Sequence, residues 1–252
     1  MRLIRVEDKK GRIIQGIMIE EQVYLLKFDG DVPKPGERLG EIKEFKLLAP
    51  VIPSKIIAVG LNYKDHAEEL NLPIPKEPII FLKPPSAVIG PGEPILLPAQ
   101  SNRVDYEAEL AVVIKKPAKN IKPEQAKEYI LGYTCFNDIT ARDLQAKDGQ
   151  WSRAKSFDTF APIGPWIETE LEPGNLKIQA LLNGKLVQDS STSNLIFSVP
   201  ELVSFISQIM SLFPGDVIAT GTPSGIGPLS AGDEIIIRIQ GIGELKNPVV
   251  SF

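Results

Sequence analysis

The sequence predicts a β-rich α+β fold. Three observations carry this: apolar runs rich in β-branched residues recur along the chain, 22 Pro and 20 Gly in 252 residues punctuate them, and helical periodicity is confined to a few short segments. Strands do not alternate regularly with helices, which disfavours a doubly wound parallel sheet or a full eight-fold barrel.

In chain order, RLIRVE (residues 2–7), a DKKGR turn, RIIQGIMIE (12–20) and QVYLLKF (22–28) read as a small β-meander. The Pro, Gly and charge of DGDVPKPGERLG (29–40) read as a linker or long loop. A boundary near residue 50 then divides the chain into a small N-terminal β domain, 1–50, and a larger domain, 51–252. In the larger part, KIIAVGL, FLKPPSAVIG, DYEAELAVVIK and ILGYTCFND are candidate strands. Asn183 and Gly184 between two apolar runs signal a hairpin, and Gly241 and Gly243 a second one. The clearest helix is PELVSFISQIMSLF (200–213), where Leu202, Phe205, Ile206, Ile209, Met210 and Phe213 share a face and Ser198 with Glu201 can form a capping box. PEQAKEYIL (123–131) is a shorter one, and a third begins near Asn62 as cap.

Composition narrows the chemistry. With one His and one Cys, neither a structural nor a His-rich catalytic zinc site can be assembled within the chain, and a disulfide framework is excluded. Cys135 reads as a small buried hydrophobe in a reducing, cytoplasmic protein. Any metal must be held mainly by oxygen. The 28 basic residues against 32 acidic give a net charge of -4, with no basic stripe for nucleic acid, and no apolar run approaches the ~18 residues of a membrane span.

Along RVDYEAELAVVI (103–114), strand alternation places Asp105, Glu107, Glu109, Ala111 and Val113 on one face. Three carboxylates running into apolar residues suit the mouth of a buried cation site; a solvated edge strand with Lys or Arg neighbours gives the same row. Asp138, where GYTCFNDITARD leaves its strand, is either a further oxygen ligand or the cap of a turn. In NYKDHAEELN, His66 and Glu69 are three apart on one helical face, an arrangement that serves proton transfer with Glu69 fixing the imidazole tautomer, and that also occurs as an ordinary surface pair. Arg142, Arg153 and Lys155 supply nearby positive charge, as counterions or as binders of an anion. ATGTPSGIGPL (219–229) lacks the GK[ST] ending of a phosphate loop and no helix pattern follows. Its Thr220, Thr222 and backbone NH groups can bind a carboxylate or close a hairpin.

Taken together these segments resemble the fumarylacetoacetate hydrolase family from about residue 54 onward. The resemblance rests on eight strings in order: VGLNYKDHAEEL, FLKPPSAVIGPGEPI, DYEAELAVVI, GYTCFNDITARDLQ, AKSFDTFAPIGPW, LNGKLVQDSSTSNLIF, PGDVIATGTPSGIG and GIGELKNPV. It implies a mixed β-sandwich or roll with few short helices, preceded by a small N-terminal β domain. It further implies Glu107, Glu109 and Asp138 as ligands for Mg2+ or Mn2+, with Ca2+ in some relatives, and His66 and Glu69 as a water-activating pair. Lys155 matches the family's lysine beside the metal, and Arg142, Gln145 and Thr222 match positions that contact substrate.

What the resemblance implies for function is hydrolytic carbon-carbon cleavage of a small acylpyruvate, such as fumarylpyruvate or acetylpyruvate, to pyruvate and a carboxylate. In that scheme water activated by His66 adds to the distal carbonyl and the metal stabilises the expelled enolate. The alternatives are isomerisation or decarboxylation of 2-hydroxyhepta-2,4-diene-1,7-dioate, tautomerisation or decarboxylation of oxaloacetate, and, from another class, a non-enzymatic Ca2+-binding module. The expected partner is a small 2-oxo acid, not nucleic acid or membrane, and the family implies a homodimer.

Overall fold

The strand Ala108–Ile114 is buried along its whole length, so its AELAVVI sequence must satisfy two cores at once. Alternation does this. Leu110, Val112 and Ile114 enter one apolar cluster, while Ala111 and Val113 enter a second on the opposite face. The computed structural model describes residues 1–30 and 32–251; Asp31, within the expected loop over 29–40, and Phe252, the last residue of the expected larger domain, lie outside them.

Among the described residues, a 12-stranded sheet runs in the order Val32–Glu41, Gln22–Asp29, Ile13–Ile19, Arg2–Glu7, Ala161–Glu168, Ile130–Asn137, Ala108–Ile114, Val217–Ala219, Ile56–Gly60 and Ile79–Lys83. Two short strands, Lys46–Leu47 and Val88–Ile89, join it beside Arg2–Glu7 and Ala161–Glu168. Its pairings are antiparallel except where Val217–Ala219 meets Ile56–Gly60 and Val88–Ile89 meets Ala161–Glu168. A five-stranded sheet, Lys185–Ser191, Lys177–Leu182, Glu234–Ile239, Gly243–Ser251 and Ile95–Leu97, packs against one face. Ile178, Ile235, Ile237 and Leu245 meet Leu110 and Val112 there. Each such side chain, fully removed from water, contributes about 1.5–3 kcal/mol before entropic costs. A three-stranded sheet, Thr140–Ala141, Val104–Tyr106 and Gly227–Pro228, lies at the end where the acidic segment begins. The chain is thus the β-rich α+β fold that its sequence predicts.

Both expected hairpins form, Leu182 pairing with Lys185 and Ile239 with Gly243. The first three N-terminal strands are the meander. The stretch expected as a loop is instead mostly strand, Val32–Glu41, pairing with Gln22–Asp29 through register irregularities. It is the edge of the sheet, and an edge tolerates Pro33, Pro35 and local bulges because its outer N–H groups face no partner strand.

The α-helices are short: α1 (Lys64–Glu69), α2 (Arg142–Asp148), α3 (Ser152–Lys155) and α4 (Val199–Ile209). The α4 capping box is present, with Ser198 N donating to Glu201 Oε2 at 2.7 Å. The helix stops at Ile209, short of the expected Phe213, because Leu212 turns back to pair with Ala118. The PEQAKEYIL segment forms a 3-10 helix over Pro123–Tyr129. Asn62 does not cap α1; Tyr63 does. The Asn62 amide instead donates to the Thr220 carbonyl at 2.7 Å and accepts from Phe197 N at 2.8 Å, tying three segments together.

Candidate active site

The carboxylate row begins at Arg103 and is divided by its neighbours. Asp105, fully buried, receives the guanidinium Nε groups of Arg103 at 3.0 Å and Arg142 at 2.9 Å. It is therefore neutralised locally and does not join the other two acids. Glu107 and Glu109 follow on the same face, and Asp138 comes alongside because its backbone N donates to the Glu107 carbonyl at 2.9 Å. One oxygen from each of Glu107, Glu109 and Asp138 lies within 4.8 Å of the others, and all three side chains are buried. The structure thus brings together the expected ligand set and removes Asp105 from the row.

Cations are distributed unevenly over this triad. Lys155 Nζ, at the C-terminus of α3, donates to Asp138 Oδ2 at 2.6 Å and to Glu107 Oε2 at 3.0 Å. Arg142 Nη2 pairs with Glu107 Oε1, and Thr140 Oγ1 donates to the same oxygen at 3.1 Å. Burial alone would raise the Glu107 pKa, but Lys155 and Arg142 hold it at about 2. Burial likewise works against the charge of Lys155, and Asp138 with Glu107 more than reverses it, leaving its pKa raised. Glu109 has no cation partner among the described residues. Its Oε2 accepts only from Gly221 N, at 2.8 Å. Burial, then the charges of Asp138 and Glu107, push its pKa well up.

A buried carboxylate facing two others, with no counterion, fits a hard divalent cation. The all-oxygen donor set has the character that Mg2+ and Mn2+ prefer.

His66 stands beside this triad on α1, only 7% exposed. Its Nδ1 lies 2.9 Å from Glu69 Oε2, so Nδ1–H donates to the carboxylate and Nε2 is the free ring nitrogen. Asp65 secures the helix on two sides: Oδ1 accepts from His66 N at 2.8 Å and Oδ2 from Ser190 Oγ on the five-stranded sheet. His66, Glu107, Glu109, Asp138, Arg142, Gln145, Lys155 and Thr222 all line one cavity of about 360 Å³. Glu69 does not line that cavity and is joined to it through its bond to His66. Leu70, Leu72, Phe81 and Trp151 form its apolar wall.

Three cavity residues share a feature. Gln145 Oε1 accepts from Arg142 Nη1 at 2.7 Å, leaving the amide NH2 unpartnered. Thr222 Oγ1 accepts from Gln188 Nε2 at 2.9 Å, leaving the hydroxyl proton free. Arg142 uses Nε, one Nη1–H and one Nη2–H on Asp105, Gln145 and Glu107, so two of its five N–H groups remain. Each acceptor is turned to the protein and donors are left over.

The Gly-rich turn takes the first of its two expected roles, binding carboxylates through backbone N–H groups. Gly221, at φ +98, and Gly225, at φ +92, sit where a Cβ would meet Asn62 Cβ at 2.8 Å and the Val187 carbonyl at 2.3 Å. Only glycine fits both positions. Their N–H groups do bind carboxylates, but the protein's own: Gly221 N reaches Glu109, and Gly225 N reaches Glu69 Oε1 at 3.0 Å.

Lys83, Gln188 and the role of Arg103 are not among the features the sequence predicts. Lys83 ends the edge strand Ile79–Lys83, is 1% exposed, pairs through Nζ with Asp138 Oδ1, and donates to the Ile139 carbonyl at 3.1 Å. Burial pushes its pKa down despite Asp138. A single Lys closing the apolar run IIFLK was the only signal. Gln188 is 1% exposed; its Oε1 accepts from Ala108 N at 2.9 Å while Nε2 holds the Thr222 turn. Cys135 is fully buried and takes no part in the cavity.

The acidic triad, Lys155 and His66 line one cavity, and the chain belongs to the fumarylacetoacetate hydrolase family, whose members are metal-dependent enzymes. The family model for the fumarylacetoacetate (FAA) hydrolase C-terminal region matches residues 55–250. The chain is 59% identical over 243 residues to an uncharacterized protein of Archaeoglobus fulgidus, covering 96% of this chain and 94% of that one. It is 47% identical over 217 residues to a mitochondrial oxaloacetate tautomerase of Xenopus laevis, covering 81% and 68%. Among solved structures, 2-hydroxyhepta-2,4-diene-1,7-dioate isomerase from Mycobacterium marinum superposes with a TM-score of 0.91 at 42% identity, covering 100% and 98%. Maleylpyruvate hydrolase from Sphingobium sp. SYK-6, in complex with manganese (II) ion and pyruvate, gives 0.81 at 30%, covering 100% and 99%. Among the described residues, no helix is long and apolar enough to cross a membrane.

Proposed function

We propose that the chain catalyses proton transfer at the carbon beside the keto group of a small 2-oxo acid, interconverting keto and enol forms, with oxaloacetate as the first candidate substrate. The observation that carries this is the set of unused donors on Arg142, Gln145 and Thr222 facing one cavity with a single free imidazole nitrogen. Glu107, Glu109 and Asp138 hold Mg2+ or Mn2+. A divalent ion there supplies positive charge that favours the enolate form of a 2-oxo acid.

The chain's own groups do the rest. Arg142 and Gln145 donate to the substrate carboxylate, and the Thr222 hydroxyl donates to a keto oxygen. His66 Nε2 takes the proton from carbon, and Glu69 stabilises the imidazolium until the proton is returned. Lys155 keeps Glu107 and Asp138 ionised. The likeness to the Xenopus tautomerase supports the reaction, and the Mn2+ and pyruvate of the Sphingobium enzyme support the ligand class.

Hydrolysis of an acylpyruvate is the second reading, favoured by the His66–Glu69 pair, which is equally suited to deprotonating water. It stands second because a tetrahedral oxyanion needs its own donors, and the Gly221 and Gly225 N–H groups are already engaged by Glu109 and Glu69. Division of the chain near residue 50 into an N-terminal β part and a catalytic part belongs to the same proposal. It is supported by a family match that begins at residue 55, even though Arg2–Glu7 pairs with Ala161–Glu168 in one sheet.

The test offers oxaloacetate, acetylpyruvate, fumarylpyruvate and the heptadienedioate to the protein with Mn2+, with and without chelator. Enol absorbance and NMR product analysis are the readouts. Faster enol-keto relaxation of oxaloacetate without pyruvate release is the expected result. Pyruvate release from an acylpyruvate would make hydrolysis the activity. Ion-dependent melting with no turnover of any acid would mean a binding module.

A further inference from the structure

We infer that Lys83 is a positioning residue that makes the triad select a small octahedral divalent ion over Ca2+, an inference resting on the triad's being a divalent-ion site. Asp138 is clamped at both oxygens: Lys83 Nζ pairs with Oδ1, and Lys155 Nζ donates to Oδ2 at 2.6 Å. The two lysines differ in what else they hold. Lys155 reaches across to Glu107 at 3.0 Å. Lys83 is anchored to the backbone next to its own target, donating to the Ile139 carbonyl at 3.1 Å. Its position is set further by the strand Ile79–Lys83, where Lys83 pairs in register with Ile56. The ammonium therefore fixes where Oδ1 sits.

A carboxylate so held resists the rotation that would present both oxygens to one ion. Glu107 is occupied in a similar way, with Arg142 and Thr140 at Oε1 and Lys155 at Oε2, and Glu109 has Gly221 N at Oε2. Held in these orientations, and binding through the lone pairs their oxygens still keep, the three carboxylates favour one-oxygen contacts with an ion. Ca2+ takes six to eight oxygens and commonly recruits a two-oxygen carboxylate, whereas Mg2+ and Mn2+ accept fewer protein ligands in octahedral geometry and fill the rest with water or substrate. Glu107 and Glu109 are held by groups that also bind or support other parts of the site. Asp138 is the ligand whose second oxygen a single substitution, at Lys83, sets free.

The experiment measures Mn2+ and Ca2+ affinities by calorimetry for the wild-type protein and for Lys83→Met, which keeps the side-chain length and removes the ammonium. Circular dichroism melting first checks that the variant is folded. Expected is a wild-type preference for Mn2+ of at least ~30-fold that falls below ~3-fold in the variant, chiefly through tighter Ca2+ binding. An unchanged ratio in a folded variant overturns the role of Lys83 while leaving the metal site standing. Absence of any divalent-ion binding by the wild type overturns both. Should the variant not fold, a crystal structure of the Mn2+-loaded wild type decides: Asp138 binding through one oxygen, with Lys83 on the other, is required, and two-oxygen binding refutes the inference.

Discussion

The outer N-terminal strands and the strand Ala108–Ile114 belong to one sheet, yet they treat charge in opposite ways. In Gln22–Asp29 and Val32–Glu41 most charged residues are exposed, and the ion pairs they form are with near neighbours, as Lys34 with Asp29 and Lys43 with Glu41. Around Glu107 and Glu109 the same residue types are buried and paired across long stretches of chain, as Lys155 with Glu107. Exposed pairs contribute little because water competes for both partners, while buried pairs cannot lose one partner cheaply. Burial of a charge network, more than the presence of charge, therefore distinguishes a reactive centre from a soluble surface.

The largest expected effect comes from breaking the buried side of this contrast. Lys155→Met should lower the stability of the metal-free protein by about 3–5 kcal/mol in urea denaturation, because two buried carboxylates lose their shared ammonium. A loss near zero would show that the pairing carries no more weight here than at the surface. Next, Glu109→Gln should weaken Mn2+ binding by at least ~100-fold in calorimetry. The same variant should be no less stable than wild type at neutral pH without metal, since the amide still accepts from Gly221 and no charge is buried.

Gly221→Ala follows, at about 1–3 kcal/mol, from the strained φ of +98 and the 2.8 Å approach to Asn62. A melt indistinguishable from wild type would mean that the turn moves freely. A smaller effect is on pH. Glu109 has a raised pKa, so it favours the metal-free fold below its unfolded value of about 4.5 and that benefit is lost as pH rises through the folded value. Protons compete with the ion for Glu109, and the melting-temperature gain from Mn2+ should be larger at pH 7.5 than at pH 5. Glu107 has the opposite sign: its contribution is present above about 4.5 and lost as pH falls towards about 2. Smallest is Lys34→Ala, which should move the melting temperature by no more than ~1–2 °C.

Most of the β architecture was legible in the sequence because strands declare themselves locally, through alternation and turn residues. The parity of Leu110 against Ala111 was enough to foresee two faces. The misreadings have tertiary causes. Val32–Glu41 looked like a loop because its prolines forbid an inner strand, and only its place at the sheet edge makes them acceptable. The proposed metal ligands and the His66–Glu69 pair could be singled out because family motifs carry them. The structure then added what no local pattern marks: Arg103 and Arg142 withdraw Asp105 from the acidic row, and Lys83 arrives from a strand whose alternation gives no reason to single it out.

The Gly-rich turn holds Glu109 with one amide and Glu69 with another, so one short segment serves both the proposed ion-holding and the proposed proton-moving halves of the centre. An insertion or deletion between Gly221 and Gly225 would disturb both together. For protein engineering, that makes this turn a poor place to diversify, and the apolar wall at Leu70, Leu72 and Trp151, which holds neither carboxylate, the better one.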